Sequence, residues 1–296
     1  MLDMTIRPAA SDDLAAINHI FYLNEVRGDP APPPEQPVSA FRHVLETGEL
    51  LVAESTPAGA VVGFAGRIVR TGVAFLTDRF VAPDRQSAGL GSALLAAVFP
   101  PDLPARCTLA STDPRAHALY TRAGMRPRWP SYWVRARPAE LRTLPVEGVE
   151  AVEAAPDDPA LAAWDTAICG RARPAEYAFW RAECDAVPLW FRRVGASVGY
   201  GWIARRSPAS FWAPQAYTIG PVGARTPQDA AACVCAAVEW ARTRSEELRL
   251  AVPGPHPALG PLLAAGCQIV YVETFCATAG FAVFDPERYL ASGDFL

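Results

Sequence analysis

Apolar positions in the first part of the chain follow the spacing of a helix and then that of strands. After the short strand MTIRP, the apolar residues Leu14, Ile17, Ile20 and Phe21 recur at helical spacing, with Ser11 as the candidate N-cap. The stretch SAFRHVLETGE predicts a second helix, and LLVAES, AVVGFAGRIVR and VAFLTDRFVAP predict three strands. The stretch SAGLGSALLAAV then predicts a turn that leads into an apolar helix.

The order of predicted elements recurs in the second half. A strand (RCTLAS), a helix (DPRAHALYTRAGM) and a strand (RPRWPSYWVRAR) complete the first half, and a Pro-, Glu- and Ala-rich boundary follows. The later stretches VEAVEA, QAYTIGPVGA and PQDAAACVCAAVEWARTR then repeat the earlier pattern. Gly124 aligns with Gly266 and Val81 with Val222, at spacings of 142 and 141 residues. The agreement favours a tandem duplication over loose likeness between two α/β domains, with domains at 1–137 and 151–296 and a linker at 138–150.

Composition narrows the function classes. The net charge of −4 gives no electrostatic reason to expect nucleic acid or an anionic membrane as a partner. The seven cysteines and four histidines show neither zinc spacing nor a disulfide framework, so no metal is expected. The start lacks an apolar signal core, and no apolar run reaches the roughly 18 residues of a membrane span. The sequence therefore predicts a soluble, reduced, cytoplasmic protein.

The glycines at Gly89 and Gly91 lie where the apolar helix is about to begin. Glycine at a helix start costs about 1 kcal/mol relative to alanine, so a bare backbone must serve some purpose there. A helix N-terminus offers unpaired N–H groups to an anion such as a phosphate. No Lys-Ser/Thr pair follows Gly91, which excludes a P-loop, and no Gly-x-Gly-x-x-Gly occurs near the first strand. An ordinary turn is the alternative reading.

Tyr120 lies on the next predicted helix, 29 positions beyond Gly91. A phenol has a pKa of about 10, close to that of a thiol, so this residue is a candidate acid for a departing thiolate. The alternative is a half-buried tyrosine that packs its helix, which is the commoner role of an isolated tyrosine.

Two segments together resemble the GNAT acetyltransferase superfamily. That family's first signature is a strand, Val-x-Pro, then Arg/Gln-x-x-Gly-x-Gly/Ala and a helix; here it reads VAPDRQSAGLG, from Val81 to Gly91. The second, Asn-x-x-Ala-x-x-Leu-Tyr-x-x-x-Gly-Phe, reads DPRAHALYTRAGM, from Asp113 to Met125. The resemblance covers residues 4 to about 137 clearly and the rest faintly. It implies an α/β (α+β) fold of two tandem GNAT-like domains, each with a mixed, largely antiparallel central sheet flanked by helices.

The resemblance also implies a function: direct transfer of an acetyl group from acetyl-coenzyme A (acetyl-CoA) to a primary amine by the N-terminal domain. The turn would hold the cofactor's pyrophosphate, the backbone of Val81 would pair with the pantetheine arm and polarise the thioester, and Tyr120 would be the acid. Asp113 departs from the usual asparagine and brings a carboxylate near an anionic cofactor. The implied cofactor-binding residues are Val81, Gln86, Ser87, Ala88, Gly89, Leu90, Gly91, Ser92, Asp113 and Tyr120.

The general base has two candidates. Asp78 lies three residues before Val81, on the strand that should pass the acceptor amine, and Glu25 lies at the end of the first helix. An ion pair of Asp78 with Arg79 or Arg67 is an equally good reading of that carboxylate. A water chain in place of a single base is a third possibility.

The acceptor pocket is predicted from the segment 25–34 and from the aromatic residues Trp129, Tyr132 and Trp133, with a core role as the alternative for the aromatic group. The sequence leaves the acceptor open between a small metabolite amine, a peptide N-terminus and an antibiotic. A non-catalytic, acyl-CoA-binding regulatory protein is the competing function, and the presence of a candidate acid argues against it.

The second copy lacks the predicted machinery. At the repeat spacing, Gly89 and Gly91 fall on Ala230 and Ala232, and Tyr120 falls on Leu262. Alanine methyl groups would crowd a phosphate, and leucine has no proton to donate. The second half is therefore expected to be a degenerate structural copy.

Overall fold

The computed structural model describes residues 4–25, 38–56, 59–86, 89–100, 103, 105–206, 213, 215–293 and 295. The chain divides into two compact units. The first comprises residues 1–108 with 208–212, and the second comprises 109–207 with 213–296.

The first unit is built on one mixed sheet in the order β1-β2-β3-β4-β5. Strands β4 and β5 run parallel, whereas the other neighbouring pairs run antiparallel. Strand β5 begins in this unit and ends in the second. The elements of the first unit are β1 (Met4–Pro8), α1 (Leu14–Glu25), α2 (Ser39–Thr47), β2 (Glu49–Ser55), β3 (Val61–Arg70), β4 (Val73–Val81), α3 (Leu90–Val98) and β5 (Ala105–Ala110).

Helices cover both faces of this sheet, and strand alternation determines which residues meet which helix. A methyl group at Gly63 would lie 3.1 Å from the side chain of Leu94 on α3. The next residue, Phe64, points to the opposite face and meets Phe41 of α2, with ring centroids 5.4 Å apart. Helix α3 therefore packs on one face, and α1 and α2 pack on the other.

The start of α1 differs from the sequence expectation. Ser11 lies inside a short 3-10 turn, Ser11–Asp13, whose N-cap is Ala10. The Asp13 carboxylate accepts a hydrogen bond from the Ala10 N–H at 2.8 Å and pairs with Arg7 at 2.7 Å. The acidic side chain inside the turn therefore provides the capping that was expected of Ser11.

The second unit is also built on one sheet, in the order β12-β6-β11-β10-β9-β8-β7, with β13 paired to β10. Strands β8 and β9 form an antiparallel hairpin. The elements of the second unit are α4 (Pro114–Arg122), β6 (Met125–Ala136), β7 (Val149–Glu153), α5 (Pro159–Cys169), α6 (Pro174–Glu183), β8 (Val187–Arg193), β9 (Ala196–Ala204), β10 (Tyr217–Ala224), α7 (Pro227–Ala241), β11 (Leu248–Pro253), α8 (Leu259–Ala265), β12 (Gln268–Thr278) and β13 (Tyr289–Leu290).

The core of the second unit forms around α7. The predicted apolar positions Val234, Ala237, Val238 and Ala241 are all completely buried. Each unit thus has a mixed, largely antiparallel sheet flanked by helices, which confirms the predicted fold class.

Strand β6 precedes the predicted linker in sequence but pairs with two strands of the second half. It runs antiparallel to β11 on one side and to β12 on the other. The two compact units therefore divide the chain inside β5, whereas the repeat divides it after residue 137. The domain boundaries at 137/138 and 150/151 stay a prediction from the repeat.

His256 predicts how the stability of the second unit depends on pH. Its ring is buried, and its Nδ1 atom accepts a hydrogen bond from the Ala258 N–H at 3.2 Å. Burial lowers the pKa of His256 to about 4, with Asp285 opposing the shift. As pH falls below 6.5, the unfolded chain therefore binds a proton at His256, whereas the folded chain does not bind it until the pH is near 4. We expect this residue alone to cost about 3 kcal/mol of unfolding free energy by pH 4.

The measurement is urea unfolding between pH 7 and pH 4 for the wild type and His256→Asn. Asparagine retains an acceptor near the Nδ1 position and does not titrate. The variant should lose part of the pH slope below pH 6.5. Identical slopes in the two chains would contradict the assignment.

Candidate active site

The end of β4 departs from regular sheet geometry. Asp78 pairs with Gly66 of β3, but the next pair toward the strand start is Leu76 with Arg67, so Thr77 is an extra residue and forms a bulge. Bulges of this kind re-aim side chains and often occur beside active sites. Strand β5 pairs with β4 from Val73 to Leu76, and within the described residues the paired register ends there.

The register of β3 and β4 determines where the backbone of the strand end points. The Ala82 N–H donates to the Val62 carbonyl at 2.9 Å, and Gly63 lies opposite Val81. Hydrogen-bonded and non-hydrogen-bonded pairs alternate in antiparallel sheets, so the N–H and C=O groups of Arg79 and Val81 point away from β3. They face the side of β4 along which an extended ligand arm could pair.

Gly89 is the N-cap of α3 and has a left-handed backbone, with φ of +85°. Its carbonyl accepts the N–H groups of Ser92 and Ala93, each at 3.1 Å. The N–H groups of Leu90 and Gly91 precede these and have no acceptor within the helix by its geometry. Leu90 is 2% exposed, so its side chain belongs to the core.

Glycine occupies position 91 for a different structural reason. A methyl group at this position would lie 2.5 Å from Nη1 of Arg79, so glycine makes room for the guanidinium group. That cation lies beside the first turn of α3, where the helix dipole is also positive. Two positive groups on one spot favour an anion there, which agrees with the pyrophosphate site expected from the sequence.

Gln86 begins the turn and folds its side chain back onto the strand end. Its Nε2 atom donates to the Val81 carbonyl at 3.3 Å and to Oδ1 of Asn24 at 3.0 Å. Asn24, in the last turn of α1, was not among the sequence candidates. Ser87, Ala88 and residues 26–34 of the predicted acceptor segment lie outside the described residues.

The two candidate bases lie near this strand end. Asp78 shares the face of β4 that meets α1 and α2, because it lies two residues before Phe80, whose ring contacts Phe21 of α1 at 5.2 Å. Arg67, one of its expected partners, pairs with Glu49 at 2.6 Å. Glu25 is the last residue of α1 and is partly buried. The role of either carboxylate as a base stays a prediction.

Two further site candidates, Tyr120 and Asp113, belong to the second unit. Tyr120 is buried on α4 at 6% exposure. Asp113 is the N-cap of the same helix; it accepts the Arg115 N–H at 2.9 Å and forms an ion pair with that side chain at 2.8 Å. The carboxylate that replaces the family's asparagine therefore has a cationic neighbour, which offsets its charge.

The aromatic candidates lie on β6 and are held by neighbours in the second unit. The ring of Trp129 stacks on Phe275 with centroids 4.6 Å apart. Nε1 of Trp133 donates to the Glu273 carboxylate at 2.8 Å. Tyr132 points to the other face and packs against the apolar core. All three are partly buried, and an acceptor-binding role for them stays a prediction.

The second half fills the groove that corresponds to the end of β4. Strand β10 shows the same change of register, between Ile219 and Val222, and pairs with β11 only before it. Beyond that point, β13 pairs antiparallel with β10, with Val222 opposite Leu290. The chain's own C-terminal segment thus occupies the strand edge at Val222, the residue that aligns with Val81. The alanines expected to replace the glycines, Ala230 and Ala232, are buried in α7.

In the second half, Asp165 lies on α5 and is satisfied internally. Its carboxylate accepts Nε and Nη2 of Arg173 at 2.8 and 2.7 Å, and the hydroxyl groups of Tyr177 and Tyr200. Burial raises the pKa of Asp165, but the charge of Arg173 and the hydrogen bonds that the carboxylate accepts outweigh burial, so the net pKa lies below its usual value. The polar groups of this buried network therefore bond to one another within the second half.

Comparisons with known proteins bear on the family of the chain. Residues 15–125 match the model of the acetyltransferase (GNAT) family. No curated protein sequence matches the chain significantly. The match confirms the predicted resemblance to the GNAT acetyltransferase superfamily, whose members transfer acyl groups and generally use acetyl-CoA.

Solved structures show the same tandem fold at low sequence identity. A Pyrococcus horikoshii protein provisionally described as an acetyltransferase has a TM-score of 0.73 and 18% identity, over 98% of this chain and 94% of that one. A GCN5-related N-acetyltransferase from Sphaerobacter thermophilus has a TM-score of 0.64 and 17% identity, over 96% of each chain. A tandem GNAT protein from clavulanic acid biosynthesis has a TM-score of 0.62 and 17% identity, over 94% and 99%.

The helices and the potential metal ligands of the described residues bear on membranes and metals. In that part of the chain, none of the helices has both the length and the apolar character needed to cross a membrane. The same residues contain no group of three or more His, Cys, Asp or Glu side chains arranged to hold a metal ion.

Proposed function

We propose that the chain is an N-acetyltransferase that moves the acetyl group of acetyl-CoA directly to a primary amine. The observation that carries the proposal is the convergence, at the start of α3, of the Leu90 and Gly91 N–H groups and the Arg79 guanidinium group. These donors suit a pyrophosphate. The outward-facing backbone of Arg79 and the Val81 N–H suit a pantetheine arm, with the Val81 N–H polarising the thioester carbonyl. The Val81 carbonyl is already an acceptor for Asn24 and Gln86.

The remaining roles are proposed from the family resemblance. Asp78 or Glu25, or a water held by one of them, takes the proton of the attacking amine. Tyr120 returns a proton to the coenzyme A thiolate. The acceptor is a small-molecule or peptide amine, and the protein works in the cytoplasm without a metal.

The experiment is calorimetric titration with acetyl-CoA, followed by thiol release in the presence of an amine panel. We expect one cofactor per chain, because β13 occupies the second strand edge. We also expect thiol release that depends on the amine. Two bound cofactors would overturn the assignment of roles to the two halves. Binding without thiol release from any amine would favour the acyl-CoA-binding regulatory protein.

A further inference from the structure

Asn24 joins three segments of the first unit through a single amide. It is 9% exposed, at the C-terminal end of α1. Its Nδ2 atom donates to the Ile20 carbonyl at 2.8 Å and to the Val81 carbonyl at 3.1 Å. Its Oδ1 atom accepts Nε2 of Gln86 at 3.0 Å. The helix, the end of β4 and the first residue of the glycine turn therefore meet at this side chain.

The Val81 carbonyl and the Gln86 amide use all of their lone pairs and N–H donors, respectively, in this contact. A carbonyl oxygen has two lone pairs, and the Val81 oxygen accepts from both Asn24 and Gln86. A primary amide has two N–H donors, and Gln86 directs one to Oδ1 of Asn24 and the other to the Val81 carbonyl. In this arrangement the Gln86 amide has no donor left for a phosphate oxygen.

We propose that Asn24 is a positioning residue which orients Gln86 as an anchor of the cofactor turn. Gln86 then serves acetyl-CoA by fixing the turn to β4, and not by donating to the pyrophosphate. This assignment rests on the proposed function. It requires an amide at position 24, because the group must donate to one carbonyl and accept from one N–H. A carboxylate has no donor and would face the Val81 oxygen as a like charge, whereas leucine offers neither group.

The test compares Asn24→Leu, Gln86→Leu and the double variant, with acetyl-CoA and with S-acetylpantetheine, which lacks the pyrophosphate. Each single change should raise KM for acetyl-CoA about tenfold, as expected for one or two lost hydrogen bonds, with kcat close to wild type. The double variant should also show about a tenfold effect, because the two side chains act as one unit. Gln86→Leu should leave kcat/KM for S-acetylpantetheine near the wild-type value, because this substrate has no pyrophosphate for the turn to hold.

The matched control is Asn18→Leu, in the same helix. Asn18 is also buried, and its Oδ1 accepts the Val38 N–H at 3.1 Å, remote from the turn by sequence and contact. This variant should lose stability and keep the wild-type KM for acetyl-CoA. Should Asn24→Leu fail to fold, Asn24→Asp replaces it, because it is nearly the same size and removes the donor; we expect the same rise in KM for acetyl-CoA.

The outcomes distinguish the positioning role of Asn24 and Gln86 from the proposed acetyltransferase function. Effects that multiply in the double variant would overturn the anchor, because the two side chains would then act independently. An equal loss with S-acetylpantetheine would also overturn it, because Gln86 would then act on the strand end and not through the turn. An active wild type with an unchanged KM in Asn24→Leu would overturn the role of Asn24 alone. A wild type that neither binds nor cleaves acetyl-CoA would overturn the proposed function, and this assignment with it.

Discussion

Gly89→Glu is expected to weaken acetyl-CoA binding by about 100-fold, equivalent to about 3 kcal/mol, while the chain remains folded. The φ of +85° at this residue imposes a left-handed backbone on glutamate, at a cost of about 1–2 kcal/mol. Space around the position is open among the described residues, so the side chain itself meets no clash. Its carboxylate would lie beside the N–H groups of Leu90 and Gly91, and would compete there with the cofactor's pyrophosphate. Calorimetry measures the affinity, and thermal melting measures the fold.

Gly72→Glu is the matched control for strain and charge. Gly72 has a φ of +77°, lies in open space, and occupies the turn between β3 and β4, at the other end of β4 from the site. It should cost similar stability and leave binding unchanged. Ala230→Glu is unsuitable as a control, because Ala230 is completely buried and a charge there would test folding. Equal losses of affinity from Gly89→Glu and Gly72→Glu would contradict the assigned site.

Periodicity predicts those elements whose faces differ in polarity. The helix through Val234 and Val238 lies where its apolar spacing predicts it, because that spacing gives one side of the helix to the core. Ser11 shows the limit of local signals. Serine is a strong N-cap by propensity, but Asp13 accepts the Ala10 N–H and also forms an ion pair with Arg7. The ion pair lies outside the short-range pattern from which an N-cap is predicted.

The two glycines show how a correct location can have an incomplete explanation. The sequence argument assigns both to an anion that needs a bare backbone. In the structure Gly89 supplies a left-handed φ, and Gly91 makes room for Arg79. These local reasons add to the anion hypothesis, because the space left by Gly91 brings a cation to the helix N-terminus.

Tertiary contacts of short or irregular segments were beyond the sequence argument. Asn24 has no motif around it, and its importance comes from a strand end and a turn about 60 residues away, which only the fold brings together. Strand β13 has two residues and no alternation to detect. Its position beside Val222 follows from the open edge of β10, which attracts a partner because unpaired backbone groups at a strand edge can accept another strand. The degenerate second copy could be predicted; the segment that fills it could not.

Tyr120→Phe is expected to lower kcat by roughly 10²–10⁴-fold, the range typical of a lost general acid. Phenylalanine retains the buried ring on α4, so the loss of unfolding free energy should be about 1 kcal/mol, the size of one hydrogen bond. KM for acetyl-CoA should stay near the wild-type value, because the proposed pyrophosphate contacts come from the turn at Gly89. Thiol release with a reactive amine measures kcat, and denaturant unfolding measures stability.

Tyr289→Phe is the control for deleting a buried tyrosine hydroxyl. Tyr289 is completely buried in β13, and among the described residues its hydroxyl has no hydrogen-bond partner. Because β13 lies against the second-copy strand β10, this change should leave kcat at the wild-type level. A large fall in kcat for Tyr120→Phe alone would support the acid. An unchanged kcat would make Tyr120 a packing residue, and the proton for the thiolate would then have to come from another group or from water.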